Sequence, residues 1–200
     1  MPPMSQSRPY HHGDLRSALL ASAERTLREK GAAALSLREL ARDIGVSHAA
    51  PSRHFKDKQA LLDALALGGY DRLNRALVAA DLPDAPLEPR LTGLARAYLT
   101  FAVDNPELLE LMFARKHAPD IDTQLADAAD LSLGSFVRLT AEAQRRGEIV
   151  EGDPEHLTLA AAAGIHGLAS LIAADALPAD EALAGLNGYV HLLLHGLKPR

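Results

Sequence analysis

The sequence contains no cysteine, and this absence excludes several kinds of site. Without thiols the chain forms no disulfide, binds no zinc through thiolates and offers no cysteine nucleophile. A chain of this kind fits a reducing compartment. The N-terminal stretch MPPMSQSRPYHHGD lacks the apolar segment of a secretory signal, and no uninterrupted apolar run reaches the length of a membrane span. We therefore expect a soluble, cytoplasmic protein with no membrane partner.

The signatures of common enzymes are missing as well. The sequence has no glycine-rich phosphate loop, nucleophile elbow or cluster of metal ligands, and no carboxylate pair stands out on an inward helix face. We therefore expect a protein that is not an enzyme, with no cofactor and no metal. His191 and His195 have a spacing that can bind one metal ion, but HLLLH lacks the glutamate of the hydrolytic zinc motif. We assign this pair to subunit packing instead.

The charge of the chain is distributed unevenly. The net charge is -5, yet residues 1–60 hold ten Lys and Arg against six Asp and Glu, whereas residues 61–200 hold eleven against twenty. Such an asymmetry indicates a head that faces a polyanion, joined to an acidic body.

Apolar residues recur three and four positions apart throughout, and alternating β-branched runs are absent, so the sequence predicts an all-α fold of about nine helices. We divide the chain into an N-terminal arm (1–13), a head (14–60) and a helical body (61–200). Asp14 is placed to cap the first helix, and a long helix from about Asp57 to Ala80 joins head to body. The prolines of DLPDAPLEP end that helix.

The segment SLRELARDIGVSHAAPSRHF predicts a helix-turn-helix unit. Ser36 and Glu39 match the capping box of a first short helix, and Gly45 supplies the left-handed residue at its end. Ser47 can cap a second short helix, whose N-terminal residues would meet base edges in the major groove. That helix has few residues suited to a core apart from Phe55.

The outward face of this second helix is short-chained and weakly basic: His48, Ala49, Ser52 and Arg53. Alanine methyls can touch thymine methyls, and Arg and Ser can reach base edges or phosphates. Lys58, at the start of the long helix, can neutralise a phosphate. The alternative is a pair of surface helices in an all-helical core.

Residues 11–70 resemble the DNA-binding domain of TetR-type transcriptional regulators in the first helix, the GVS turn, the HF pair and the lysine after the helix cap. The stretches YHHGDLRSALL and GIHGLASL look like a subgroup with a His-Gly signature in its ligand-binding domain. The resemblance implies an all-helical homodimer that binds a palindromic double-stranded DNA operator and represses transcription until a small-molecule effector releases it.

Carried over residue by residue, the resemblance places operator contacts at Ser36, Arg38, Ser47, His48, Ala49, Ser52, Arg53, His54 and Lys58. One departure is Ser52, which stands where the family usually has tyrosine. That phenol commonly reaches a phosphate, so the contact is shortened or lost here. This departure keeps open a second function, a helical scaffold or protein-interaction module that binds no operator.

The sequence of the body, residues 61–200, indicates function less directly than that of the head. Its large side chains can form either a core or the wall of a ligand pocket: Tyr98, Phe101, Met112, Phe113, Phe136 and His166. His166 is either a core histidine with one hydrogen bond or a polar anchor in the pocket wall, where Gly164 and Gly167 allow close approach. The last two helices carry more apolar residues than a small core needs. We assign to a four-helix dimer interface Leu168, Leu171, Leu186, His191, Leu193 and His195.

Overall fold

The computed structural model describes residues 12–196, with side chains from residue 15 onward, and every regular element in that range is a helix. The α-helices are α1 (His12–Lys30), α2 (Leu37–Asp43), α3 (Lys58–Ala80), α4 (Leu87–Asp104), α5 (Pro106–Lys116), α6 (Thr123–Arg145), α7 (Pro154–Ala173) and α8 (Ala179–His195). Two short 3-10 helices cover Ala32–Ala34 and Pro51–Arg53. The predicted all-α class is confirmed, with eight α-helices in the described range against about nine expected.

The chain divides into two compact units, unit 1 (Met1–Leu65) and unit 2 (Ala66–Arg200). The division falls inside α3, five residues beyond the boundary that we placed after residue 60. The predicted N-terminal arm 1–13 lies outside the described residues, apart from 12 and 13. These two belong to the first turn of α1, so the helix begins before Asp14 rather than after it.

Unit 1 is built on α1, which packs against α2 and the first 3-10 helix. The predicted inward stripe is buried: Leu15, Leu19, Ala23 and Leu27. These positions recur every four residues and therefore share one face of the helix. Gly31 follows the last residue of α1 with a positive φ of 75°, a conformation that favours glycine, and so the helix ends where the sequence indicates.

Unit 2 contains α4 to α8 and the later turns of α3. α4 packs against α5, α7 and α8, and α6 packs against α5 and α7. Pro106 opens α5, while the Asp122 and Asp153 carboxylates accept backbone N–H groups at the starts of α6 and α7. The core is mainly leucine, including the fully buried Leu99 and Leu186.

α7 differs from the other helices in being both apolar and exposed. It is long and apolar enough to cross a membrane by length and composition alone, yet only 17% of its apolar window is buried. α7 contains no uninterrupted apolar run of that length, so a search of the sequence for such runs does not identify it. Glu155, His156 and His166 interrupt its apolar run without lowering its mean hydropathy far.

Candidate functional site

The turn after α2 has the geometry that the sequence predicts. Gly45 has a φ of 72°, the Val46 N–H donates to the Ala41 carbonyl and the Gly45 N–H donates to the Arg42 carbonyl. This pair of hydrogen bonds is the Schellman motif, which closes a helix through a left-handed residue. Leu40 and Ala41 are buried beneath it. The turn thus fixes the direction in which the chain enters the next segment.

The start of α2 is different from the prediction. Ser36 stands at the N-cap, but its side chain makes no capping hydrogen bond. Glu39 lies 3.8 Å from Arg42 and forms an exposed ion pair within the helix. The serine half of the capping box therefore does not form.

The predicted second short helix is not an α-helix. Only Pro51–Arg53 is helical, in the 3-10 form, with the Arg53 N–H bonded to the Ala50 carbonyl and the His54 N–H to the Pro51 carbonyl. Proline has no N–H to donate to residue 47, so the i→i−4 ladder cannot pass through this position. This is the element missing from the predicted nine. We refer to residues 47–55 as the recognition segment.

The recognition segment has one side that is buried in unit 1 and one side that is exposed to solvent. Pro51 and Phe55 are buried, and the Arg16 guanidinium lies 5.5 Å from the centre of the Phe55 ring. The four predicted outward residues, His48, Ala49, Ser52 and Arg53, are all exposed, and so is Ser47. The division between buried and exposed positions therefore agrees with the expected surface, although the backbone is tighter than an α-helix.

The other predicted operator contacts differ in their surroundings. Arg38 is exposed and Ser36 half-buried. The Asp57 carboxylate accepts the Ala60 N–H at 2.8 Å and so caps α3. The Lys58 ammonium donates to the Ala33 carbonyl at 2.9 Å, which holds the charge at the first 3-10 helix of unit 1. Two of its three N–H bonds stay available for another acceptor.

His54 is the exception in this set. Its side chain is half-buried, and Nε2 is enclosed without a hydrogen-bond partner among the described residues. An enclosed nitrogen cannot reach a base or phosphate, so we no longer assign His54 a direct contact through this atom. The sequence alone does not indicate this, because the enclosure of a single ring nitrogen depends on how the chain packs around it.

Unit 2 contains a cavity of about 420 Å³ between α4, α6, α7 and α8. Its wall is mostly apolar, with Leu91, Leu139, Leu157 and Ile165 among the lining residues. Thr140 and Thr158 also line it, and their hydroxyl oxygens are 2.8 Å apart. An apolar chamber with one polar pair is the usual form of a small-molecule site.

Of the six predicted pocket residues, this cavity contacts only Phe136. The Tyr98 hydroxyl is 2.7 Å from His166 Nδ1, and the Phe113 ring stacks on His166 at 4.5 Å between centroids. Burial raises the pKa of Tyr98, which keeps the phenol protonated and able to donate. His166 is half-buried and hydrogen-bonded through Nδ1, so its role as a core histidine or as a pocket anchor stays a prediction. Phe101 and Met112 are buried among the core residues.

The two glycines beside His166 do not act alike. A Cβ at Gly164 would overlap the Tyr189 hydroxyl oxygen, so the absence of a side chain lets α7 and α8 pack closely there. At Gly167 an added Cβ would meet no described atom within 4 Å. The close neighbour at Gly164 is thus the chain's own Tyr189, and the approach of a ligand to these two glycines stays a prediction.

The predicted interface residues also separate into groups. Leu171 is exposed, whereas Leu168 and Leu193 are half-buried, and Leu193 lines the cavity. Leu186 is fully buried within its own chain. A side chain with no exposed surface cannot contact a partner, and we remove Leu186 from the interface.

His191 and His195 contact a residue that the sequence did not single out. His191 Nδ1 lies 3.1 Å from Glu88 Oε1, and His195 Nε2 lies 3.3 Å from Glu88 Oε2. These hydrogen bonds, that of His191 foremost, hold the pKa of the Glu88 carboxyl below its usual value. Glu88 is about a hundred positions away in the sequence, so no local pattern could reveal the contact.

The burial of the Arg90 charge is likewise not evident from the sequence, because its contact with Glu142 joins residues that are far apart along the chain. Arg90 is almost fully buried and donates two hydrogen bonds to Asp81, at 2.8 and 3.2 Å, and one to Glu142 at 2.9 Å. Arg146 reaches the other oxygen of Glu142. Hydrogen bonding from Arg90 holds the pKa of the Glu142 carboxyl below its usual value. This network ties α4 to α6 and to the loop after α3.

Family models and solved structures agree on what the chain resembles. The model for bacterial regulatory proteins of the tetR family matches residues 19–65, and that for the tetracyclin repressor-like C-terminal domain matches residues 91–187. No curated protein matches the sequence significantly. The predicted subgroup with the His-Gly signature stays a prediction.

Three solved structures illustrate the similarity. A protein of unknown function from Rhodococcus sp. RHA1 is 45% identical, with a TM-score of 0.84 over 96% of this chain and 100% of that chain. A tetR-family regulatory protein from Rhodococcus RHA1 is 27% identical, with a TM-score of 0.69 over 89% and 94%. PfmR from Thermus thermophilus, at 22% identity, shares the fold with a TM-score of 0.72 over 90% and 99%. The two family models, together with these structures, show that the chain belongs to the TetR family of transcriptional regulators.

Proposed function

We propose that this regulator is a cytoplasmic, non-enzymatic repressor that binds a palindromic operator as a homodimer and leaves it when a small molecule occupies unit 2. The observation that carries the proposal is the bare outer side of the recognition segment. Five residues there are exposed, including Arg53, while Pro51 and Phe55 anchor the segment from below. Side chains of this kind can read base edges, and the flanking cations can neutralise phosphates.

The homodimer is supported by the exposed apolar surface of the last two helices. The side chain of Leu159 on α7 is 61% exposed, and those of Leu171 on α7 and Leu192 on α8 are each 48% exposed. A large exposed apolar patch marks an interface in a soluble protein. A second copy that covers this surface would also explain why α7 is as apolar as a membrane span.

The effector is expected to occupy the cavity lined by the Thr140–Thr158 pair. The apolar wall favours an apolar compound, and the two hydroxyls can bond to one polar group on it. Two recognition segments must lie about 34–36 Å apart to occupy successive major grooves. An effector that prefers a dimer with another separation lowers operator affinity by population shift. α3, which begins in unit 1 and ends in unit 2, is the element through which the two events can be coupled.

The DNA-binding step is tested by fluorescence anisotropy with duplexes taken from beside the gene. We expect the binding constant to fall steeply with salt, because each neutralised phosphate releases counterions. K58A should weaken binding to all sequences alike and lower the salt slope by about one. R53A should instead weaken binding by about 1–3 kcal/mol and relax the preferred sequence.

Arg28 provides a matched control, since it is an exposed arginine of unit 1 that pairs with Glu24 on α1, away from the recognition segment in sequence. R28A should leave affinity and salt slope close to those of the wild type. Binding without salt dependence, or K58A and R53A variants that bind like R28A, would favour the scaffold function over the regulator.

A further inference from the structure

Three possible metal ligands from two helices meet on the surface of unit 2. Glu88 lies in the first turn of α4, and His191 and His195 lie in the last two turns of α8. One carboxylate oxygen and one ring nitrogen from each histidine all lie within 4.8 Å of one another. The histidine rings are 4.3 Å apart between centroids. We call this set the Glu88 cluster.

The spacing and the ligand types together fit a transition metal. Histidines four positions apart share one helix face, the arrangement by which helical zinc motifs present two nitrogens to one ion. Tetrahedral bonds of 2.0–2.1 Å imply ligand separations of about 3.3 Å. His191 Nδ1 lies 3.1 Å from Oε1 of Glu88 and His195 Nε2 lies 3.3 Å from Oε2, so each histidine has a carboxylate oxygen at about this separation, and the three ligand atoms of the set lie within 4.8 Å of one another. We propose that Glu88, His191 and His195 form a binding site for a divalent ion of the zinc class.

The ligand types of the Glu88 cluster determine which metal ions it is expected to bind. Two imidazoles and one carboxylate suit Zn²⁺, Cu²⁺ and Ni²⁺, whereas Ca²⁺ and Mg²⁺ prefer oxygen ligands alone. Three protein ligands leave a position open for water or another ligand. Each of the three is at least a third exposed in the single chain, so an ion can enter without opening the core of unit 2.

The position of the Glu88 cluster gives the site a structural consequence. Leu87 and Leu194, the chain neighbours of Glu88 and His195, both line the cavity of unit 2. An ion held by the cluster joins the start of α4 to the end of α8 beside that cavity. Metal binding is therefore expected to stabilise unit 2, since an ion that binds only the folded chain raises its melting temperature.

The same contacts would exist if Glu88 merely accepted hydrogen bonds from two histidines. A titration of the untagged full chain with Zn²⁺ against a chromophoric chelator separates the two cases. We expect one Zn²⁺ per chain and a raised melting temperature, with Mg²⁺ having no effect. H191A, H195A and E88Q should each weaken Zn²⁺ binding at least about tenfold, since even an outer-shell partner of a metal site contributes 10–100-fold.

Two other sets of histidines in the chain serve as controls. His11 and His12 are adjacent in the sequence, and His156 lies 3.5 Å from Asp153 on the exposed start of α7. H11A/H12A and H156A should bind Zn²⁺ like the wild type. The proposal is overturned if the wild type binds no Zn²⁺, if H191A/H195A binds it undiminished, or if H11A/H12A abolishes binding.

Discussion

At the scale of single residues, Arg90 is the buried charge that unit 2 must neutralise. Its guanidinium is enclosed, while Asp81 and Glu142 each keep about a third of their side-chain surface in solvent. Removing one partner from a buried pair leaves uncompensated charge, at a cost of about 3–5 kcal/mol. Because both carboxylates are partly hydrated, we expect R90A to lower the free energy of unfolding by about 3 kcal/mol, the lower end of that range.

Urea unfolding followed by circular dichroism measures this change. R146A is the matched control, because Arg146 bonds to the same Glu142 but is nearly half exposed. An exposed pair of this kind contributes less than about 1 kcal/mol. Equal losses for R90A and R146A would show that burial of Arg90 is not what makes the network stabilising.

Gly164 gives a second prediction at this scale. A Cβ would overlap the Tyr189 hydroxyl oxygen and lie 3.2 Å from Cζ of the same ring, so G164A forces Tyr189 to move. Overpacking of this kind costs about 1–3 kcal/mol. We expect a lowered melting temperature for G164A and partial recovery in G164A/Y189F, which removes the overlapping oxygen.

Gly167 lies on the same helix with open space around it, so G167A should be neutral or stabilising by about 0.4–1 kcal/mol. Thermal unfolding of the wild type, G164A, G164A/Y189F and G167A measures these differences in melting temperature. A G164A chain as stable as G167A would contradict the close packing of α7 on Tyr189.

At the scale of secondary structure, local patterns predicted some features and missed others. Gly31 and Gly45 each have a positive φ at the end of a helix, a conformation that glycine adopts most readily. This requirement is local, so the glycines in the sequence predict where both helices end. The sequence predicts an α-helix in the recognition segment, with Pro51 in its first turn or just past it, where the missing N–H has little consequence. In the structure Pro51 is the first residue of a single 3-10 turn, and its carbonyl accepts the N–H groups of His54 and Phe55.

α7 carries the prediction for association of the chain. Leu171 is 48% exposed on α7, and Leu131 is 52% exposed on α6, away from the proposed interface. A charge buried against a second copy has no counter-ion and is strongly unfavourable. L171E should therefore shift the chain from dimer to monomer in sedimentation velocity at micromolar concentration.

L131E supplies the control for this substitution, since it adds the same charge at similar exposure. We expect L131E to sediment as a dimer. Dimers in both variants would place the interface elsewhere, and a monomeric wild type would remove the homodimer from the proposal.

At the scale of the whole molecule, the sequence predicted the fold class, while side-chain contacts over long distances lay beyond it. Helix periodicity is local, so the leucine stripe of α1 is evident without a structure. The contact of Glu88 with His191 and that of Arg90 with Glu142 depend on how α4, α6 and α8 are arranged in space. Of the residues predicted to line a pocket, only Phe136 contacts the cavity described here, because its wall is mainly leucine and alanine and its position depends on the arrangement of four helices.

The central claim is that the exposed side of the recognition segment faces a DNA duplex, with two copies acting together. Hydroxyl-radical footprinting of the DNA beside the gene tests it most directly. We expect two protected patches, symmetric about a palindrome and centred about one helical turn or 34–36 Å apart, which weaken together when Arg53 is replaced by alanine. A single patch, or protection that is unchanged by this substitution, would contradict the account.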